Sequence, residues 1–234
     1  GDTSTKFLSM FDMPFWKIPS GEITNTPYLR EIAKQGKPII LSTGMASVSE
    51  IEFALNTLQD SGVQREFITL LHCTTEYPAN KKEINLNAIK TLKNIFKVNV
   101  GYSDHTLGIE IPVAAVALGA TIIEKHITLN KKMDGPDHVA SLEPNEFKKM
   151  VENIRNLENA FGNGIKKPTN AEELIKKSVR RSIVAKTFIS KGEQLTKKNI
   201  TTKRPAEGIS PVYWDNIINS ISKRNYHPDD LIEW

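Results

Sequence analysis

Apolar and β-branched runs alternate with segments of helical spacing along the first two thirds of the chain. The runs cover residues 15–18, 38–42, 67–72, 98–102 and 120–126, and each is followed by polar residues or by Gly and Pro. Between them, Ser47 and Glu50 have the spacing of a capping box, after which Ile51, Leu55 and Leu58 fall on one helical face. Residues 111–118 read as a further short helix stopped by Gly119. The longest predicted helix covers 144–161, with Pro144 in its first turn and Phe147, Val151, Ile154 and Phe161 as its inward stripe. Continuous apolar strands separated by helices predict βα units around a buried parallel sheet.

Residues 162–170, Gly-Asn-Gly-Ile-Lys-Lys-Pro-Thr-Asn, interrupt both periodicities and read as a linker. The expected division is therefore 1–170 and 171–234. The second part has a short helix at 171–177, strand-like pieces at Ser182–Ala185 and Ile200–Lys203, and a turn at Lys191, Gly192 and Glu193. It is expected to be a small β-rich module.

Composition narrows the class. At 234 residues, 39% apolar and 25% charged, the chain has material for a sizeable core, which excludes disorder and coiled coil. No run approaches the roughly 18 apolar residues of a membrane helix, and the start lacks a basic-then-apolar signal pattern. A soluble cytoplasmic protein with no membrane partner is expected. Cys73, the single cysteine, lies in an apolar run and is expected in the core. The net charge of +4 resides in the tail: residues 178–234 hold ten Lys/Arg against six Asp/Glu, leaving 21 of each sign before them. No nucleic-acid-reading motif accompanies that excess, so an anionic small molecule or an acidic protein surface is the expected partner, not a nucleic acid.

In parallel α/β folds ligands gather at the carboxyl ends of the strands. Here those ends are polar: Lys17, Ser20 and Glu22; Ser42, Thr43 and Gly44; His72, Thr74, Thr75 and Tyr77; Ser103, Asp104, His105 and Thr106; Glu124 and His126; then Asp134 and Asp137. His105 and His126 end consecutive strands, so two imidazoles can share a divalent ion or stand as ordinary polar residues. Asp104 either orients an imidazole or caps the following helix. Lys17, in an apolar stretch, calls for a phosphate or carboxylate ligand, or pairs with Glu22. Ser20, Ser42 and Ser103 suit a ligand with several anionic oxygens. Glu22 and Asp137 are candidates for acid/base work or for holding sugar hydroxyls. His72 and Cys73 face opposite sides of their strand and form no nucleophilic pair. His138 and His227 read as surface residues.

Taken together, Lys-Ile-Pro-Ser-Gly-Glu at 17–22, Leu-Ser-Thr-Gly-Met at 41–45, His-Cys-Thr-Thr-Glu-Tyr-Pro at 72–78, Gly-Tyr-Ser-Asp-His-Thr at 101–106 and Glu-Lys-His at 124–126 are specific. With Gly-Pro-Asp at 135–137 and Lys-Arg-Pro at 203–205, they resemble the sialic acid synthase family over nearly the whole chain. The resemblance implies a (β/α)8 TIM barrel followed by an antifreeze-like SAF domain. It implies condensation of phosphoenolpyruvate with an N-acylated mannosamine-type sugar, giving a nonulosonic acid such as N-acetylneuraminate and phosphate, with Mn²⁺ or Mg²⁺ as cofactor. By the family pattern His105 and His126 hold the metal. Lys17, Ser20, Ser42, Thr75 and Ser103 bind phosphoenolpyruvate, with Thr75 standing where some members have asparagine. Glu22, Tyr77 and Asp137 surround the sugar or assist proton transfer, as catalytic residues together with His126. Arg204 is offered to the partner's sugar across a domain-swapped homodimer. Five strands precede the linker where a barrel has eight, so the resemblance covers barrel strands four to eight, and the first three βα units have no counterpart here. A truncated piece of a synthase, binding ligand or partner without turnover, is the alternative expectation.

Overall fold

The computed structural model describes residues 2–234, and the chain divides into two units, 1–162 and 163–234. The first unit runs α1 (Asp2–Leu8), β1 (Trp16–Ile18), α2 (Thr26–Ala33), β2 (Ile39–Ser42), α3 (Val48–Asp60), β3 (Ile68–Cys73), α4 (Ala88–Phe96), β4 (Asn99–Asp104), α5 (Glu110–Ala117), β5 (Ile123–Lys125) and α6 (Pro144–Ala160). Its five strands lie side by side in chain order, every pair parallel. This is the arrangement of consecutive units of a β/α barrel, curled into part of the circle. The sequence pattern predicts no element before residue 15, where the structure has α1.

Strand alternation sorts the side chains by face. Trp16, Ile18, Ile39, Leu41, Ile68, Leu70 and Val100 pack outward into one core with Leu29, Ile32, Leu55, Leu58 and Ile89 of the helices. Lys17, Ser42, Cys73, Ser103 and Glu124, at alternate positions, take the concave face. Each fully buried Leu or Ile contributes roughly 1.5–3 kcal/mol, and Leu70→Ala would cost about 2–5 kcal/mol. Ser47 and Glu50 form the predicted capping box at the start of α3.

On α6 the buried line passes through Met150 and Ile154, with Phe147 and Leu157 partly covered, against Val116 and Leu142. Val151 and Phe161, placed in the predicted stripe, are 38% and 50% exposed. Consecutive helical residues differ by about 100°, so Val151 cannot share the line that Met150 occupies.

The second unit carries α7 (Asn170–Val179), an antiparallel pair of β6 (Ser182–Ala185) and β7 (Ile200–Lys203), and α8 (Trp214–Ile217). Ile183, Ile189, Ile200, Tyr226 and Ile232 form its separate core. Among the described residues no helix is long and apolar enough to cross a membrane.

Candidate active site

The site is built at the carboxyl ends of β1 to β5, on the concave face. Lys17 projects from β1 and meets Glu124 of β5, Nζ to Oε2 at 3.4 Å. Its ion pair is thus with Glu124 and not with Glu22, whose carboxylate accepts from Asn25 Nδ2 at 2.6 Å. The other Glu124 oxygen accepts from the Ser103 hydroxyl at 2.7 Å. Ser103 and Glu124 are register partners on adjacent strands, so that contact follows from the pairing itself.

A row of hydroxyls continues from this pair. Ser42 is buried at the end of β2, and Ser20 Oγ stands 3.4 Å from Thr75 Oγ1. Gly44 gives them room, since a Cβ there would lie 2.2 Å from Thr75 Oγ1 and 3.2 Å from Ser20 Cβ. Cys73 is buried beneath, and burial pushes its thiol pKa up, which removes it as a nucleophile at neutral pH.

Two residues on from Ser103, His105 points into the same mouth, its Nδ1 2.7 Å from the Thr74 carbonyl and its Nε2 3.5 Å from Ser103 Oγ. The carbonyl can only accept, so Nδ1 carries the proton and Nε2 presents its lone pair. Burial holds the imidazole pKa below its ordinary value, favouring the neutral ring. His126 lies with its ring centroid 5.5 Å from that of His105, and its Nδ1 is 3.9 Å from Asp137 Oδ2. The Tyr77 ring sits over both, 4.1 Å from His105 and 5.5 Å from His126. Burial raises the Tyr77 pKa, so the phenol keeps its proton.

Two imidazoles, that of His105 neutral and fixed by the backbone carbonyl behind it, make a donor set that fits a divalent cation with open positions. They stand as a pair: among the described residues no third His, Cys, Asp or Glu completes a ligand cluster.

Lys17, Ser103, His105, His126, Tyr77 and Asp137 are linked through these contacts, and Ser20 joins Thr75. Glu22 stays with Asn25. Arg204 belongs to the second unit, exposed just past β7. Asp104 neither orients an imidazole directly nor caps a helix; its side chain points to the helix layer and binds Lys125. His138, read as a surface residue, accepts or donates at 2.7 Å to Thr128 Oγ1. The strand-end pattern singles out no role for Glu124, yet it joins Lys17 to Ser103. Alternation held the signal: Glu124 and His126 are two residues apart at the end of one strand, as are Ser103 and His105.

A NeuB family profile matches residues 2–166 and an SAF domain profile matches 180–234. N,N'-diacetyllegionaminic acid synthase of Campylobacter jejuni is 55% identical over 229 residues, covering 98% of this chain and 69% of that protein. The synthase of the same name from Legionella pneumophila is 42% identical over 235 residues, covering 100% of this chain and 66% of the other. Human N-acetylneuraminate-9-phosphate synthase is 36% identical over 225 residues, 95% of this chain and 61% of its own length. The N-acetylneuraminic acid synthetase of Leptospira borgpetersenii, solved with citrate, superposes with a TM-score of 0.69 at 38% identity, over 74% of this chain and 60% of that one. The chain spans about two thirds of the length of the curated relatives it matches.

Proposed function

Since the chain belongs to the NeuB family, with an SAF domain behind it, we propose that it carries the phosphoenolpyruvate and metal side of a nonulosonic acid synthase. The substrates are phosphoenolpyruvate and a six-carbon N-acylated aldose, and the products are a nine-carbon nonulosonic acid and phosphate. Two relatives named for N,N'-diacetyllegionaminic acid favour a diacetamido sugar over N-acetylmannosamine. The observation that carries the reading is the continuous row from Lys17 through Glu124 and Ser103 to His105, which sets an ammonium and hydroxyl donors beside two imidazoles.

Lys17, Ser20, Ser42, Thr75 and Ser103 hold the anionic oxygens of phosphoenolpyruvate by charge-assisted hydrogen bonds. The enol carbon C3 attacks the aldehyde carbon of the open-chain sugar, and water adds at C2. Phosphate then leaves with its C–O bond, so no oxidant or further reactant is needed. His105 and His126 would hold Mn²⁺ or Mg²⁺, which when bound supplies polarisation of the aldehyde. Tyr77, over His126, supplies the proton that the aldehyde oxygen gains on attack, and Asp137 beside His126 assists the transfer. Glu22 orients sugar hydroxyls. Glu124 keeps the Lys17 ammonium at the mouth and holds the Ser103 side chain in place until its one hydroxyl proton turns from the carboxylate to the arriving phosphoenolpyruvate. Arg204, in a homodimer, reaches the partner's sugar.

Phosphate release from phosphoenolpyruvate, with each aldose in turn and Mn²⁺ present, tests this. Release that depends on the aldose and is lost in His126→Ala supports it. Phosphoenolpyruvate binding without release under every aldose points instead to a ligand-binding piece of such a synthase, and no binding at all rejects both.

A further inference from the structure

Behind the wall that carries the imidazoles, on the helix side of the sheet, lies an ion pair that this chemistry does not use. Lys125 Nζ stands 2.6 Å from Asp104 Oδ2, and both side chains are wholly shielded from solvent. The two are register partners at the last positions of β4 and β5. Asp104 Oδ1 also accepts from Tyr102 OH and from the Thr106 backbone N–H, each at 3.1 Å, and Oδ2 accepts from the Thr106 hydroxyl at 3.2 Å. Lys125 donates in addition to the Thr106 carbonyl.

Folding alone does not call for this arrangement. Taking both charges out of water is costly, and apolar residues of equal volume often serve stability as well or better. A hydrogen-bonded pair does supply a fixed distance and register. On each strand the next residue is an imidazole of the site, His105 after Asp104 and His126 after Lys125. Adjacent strand positions face opposite sides, so the pair grips the back of the two strand ends whose fronts carry the rings. Thr106, bound to both members, ties down the chain on the far side of His105.

We infer that the Asp104–Lys125 pair sets the spacing of the two imidazoles, now 5.5 Å between ring centroids. Both are positioning residues, since each acts through its chain neighbour. The inference rests on His105 and His126 working together, and the test therefore reads the rings themselves, apart from turnover.

In the metal-free protein, the ring ¹H–¹³C signals of His105 and His126 are assigned with single His→Gln variants. The double variant Asp104→Asn/Lys125→Gln keeps donors and acceptors and removes both charges. It is expected to retain its circular dichroism spectrum while both ring signals shift or split. Its Mn²⁺ affinity, by electron paramagnetic resonance, should fall at least about tenfold, as the loss of an outer partner does at metal sites. Lys125→Arg, which keeps the charges, should leave the rings near their wild-type positions. A folded double variant with unmoved ring signals overturns the inference. Moved rings in a protein that never binds Mn²⁺ uphold the positioning role and defeat the metal reading. If the double variant does not fold, Tyr102→Phe, which removes one donor to Asp104, decides in the same way: shifted rings support the pair's role and unshifted rings refute it.

Discussion

Lys17 and Glu124 stand on the two edge strands of the sheet, yet their charged ends meet at 3.4 Å across its concave face. Only a curled sheet brings β1 and β5 so close. The contact also divides the work between the two residues. Lys17→Met removes a charge-assisted donor to phosphoenolpyruvate and is expected to weaken its binding by roughly 1.5–3 kcal/mol, ten- to a hundredfold. Glu124→Gln frees Lys17 from its counter-charge, so binding should hold or tighten while turnover falls, by about 10²-fold if the donors lose their fixed positions. Calorimetric titration with phosphoenolpyruvate, set beside kcat, separates the two effects. Equal loss of binding in both variants would refute this division.

The paired imidazoles lead to a second expectation. His105→Ala and His126→Ala should each reduce Mn²⁺ affinity by more than the 10–100-fold typical of losing an outer partner, because each removes a direct ligand. Tyr77→Phe keeps the ring that covers them and should leave Mn²⁺ affinity unchanged while lowering turnover, since only the phenolic proton is lost. Titration of each variant by electron paramagnetic resonance decides this. Unchanged affinity in both alanine variants would remove the histidines from the metal site.

Much of the fold was legible because apolar runs and helical stripes are local signals. The five strands were predicted within a few residues of their observed bounds, and the capping box at Ser47 and Glu50 formed as its spacing implied. What escaped the pattern depends on neighbours distant in sequence. Lys17 pairs with a residue 107 positions later and not with Glu22 five positions on, a choice that only the curl of the sheet makes. Closeness to His105 in sequence suggests a tie between Asp104 and that ring, whereas strand alternation turns Asp104 to the opposite face, towards Lys125. On α6, Val151 looks as apolar as its buried neighbours, and its exposure follows from which line of the helix faces inward, whereas Phe161 lies beyond the last residue of the helix, Ala160.

Gly101 supplies a test of the packing beneath the site. A Cβ there would lie 2.5 Å from the Ile122 carbonyl oxygen and 2.6 Å from Leu71 Cδ2. The carbonyl belongs to the neighbouring backbone and accepts from Tyr102 N–H at 2.8 Å, so it cannot retreat without loosening the junction of β4 and β5. Gly101→Ala is expected to destabilise the chain by about 1–3 kcal/mol, the range for overpacking a dense interior. Urea denaturation measures it, and a midpoint unchanged from wild type would refute the close approach.

His72 gives the pH dependence of stability a definite sign. Its side chain is on the helix side of β3, with Nε2 2.7 Å from the Ile84 carbonyl, and burial is the main cause that lowers its pKa. The unfolded chain carries a histidine near its ordinary value of about 6.5. As pH falls below that value the unfolded state takes up the proton first, so the stability present above pH 6.5 is lost on the way down through the folded pKa. His105, also lowered by burial, adds to the same slope, and a variant is needed to isolate His72. His72→Gln retains a donor for the Ile84 carbonyl and cannot titrate. Urea midpoints from pH 8 to pH 5 should fall less steeply for His72→Gln than for wild type, and parallel curves would show that His72 contributes nothing to the slope.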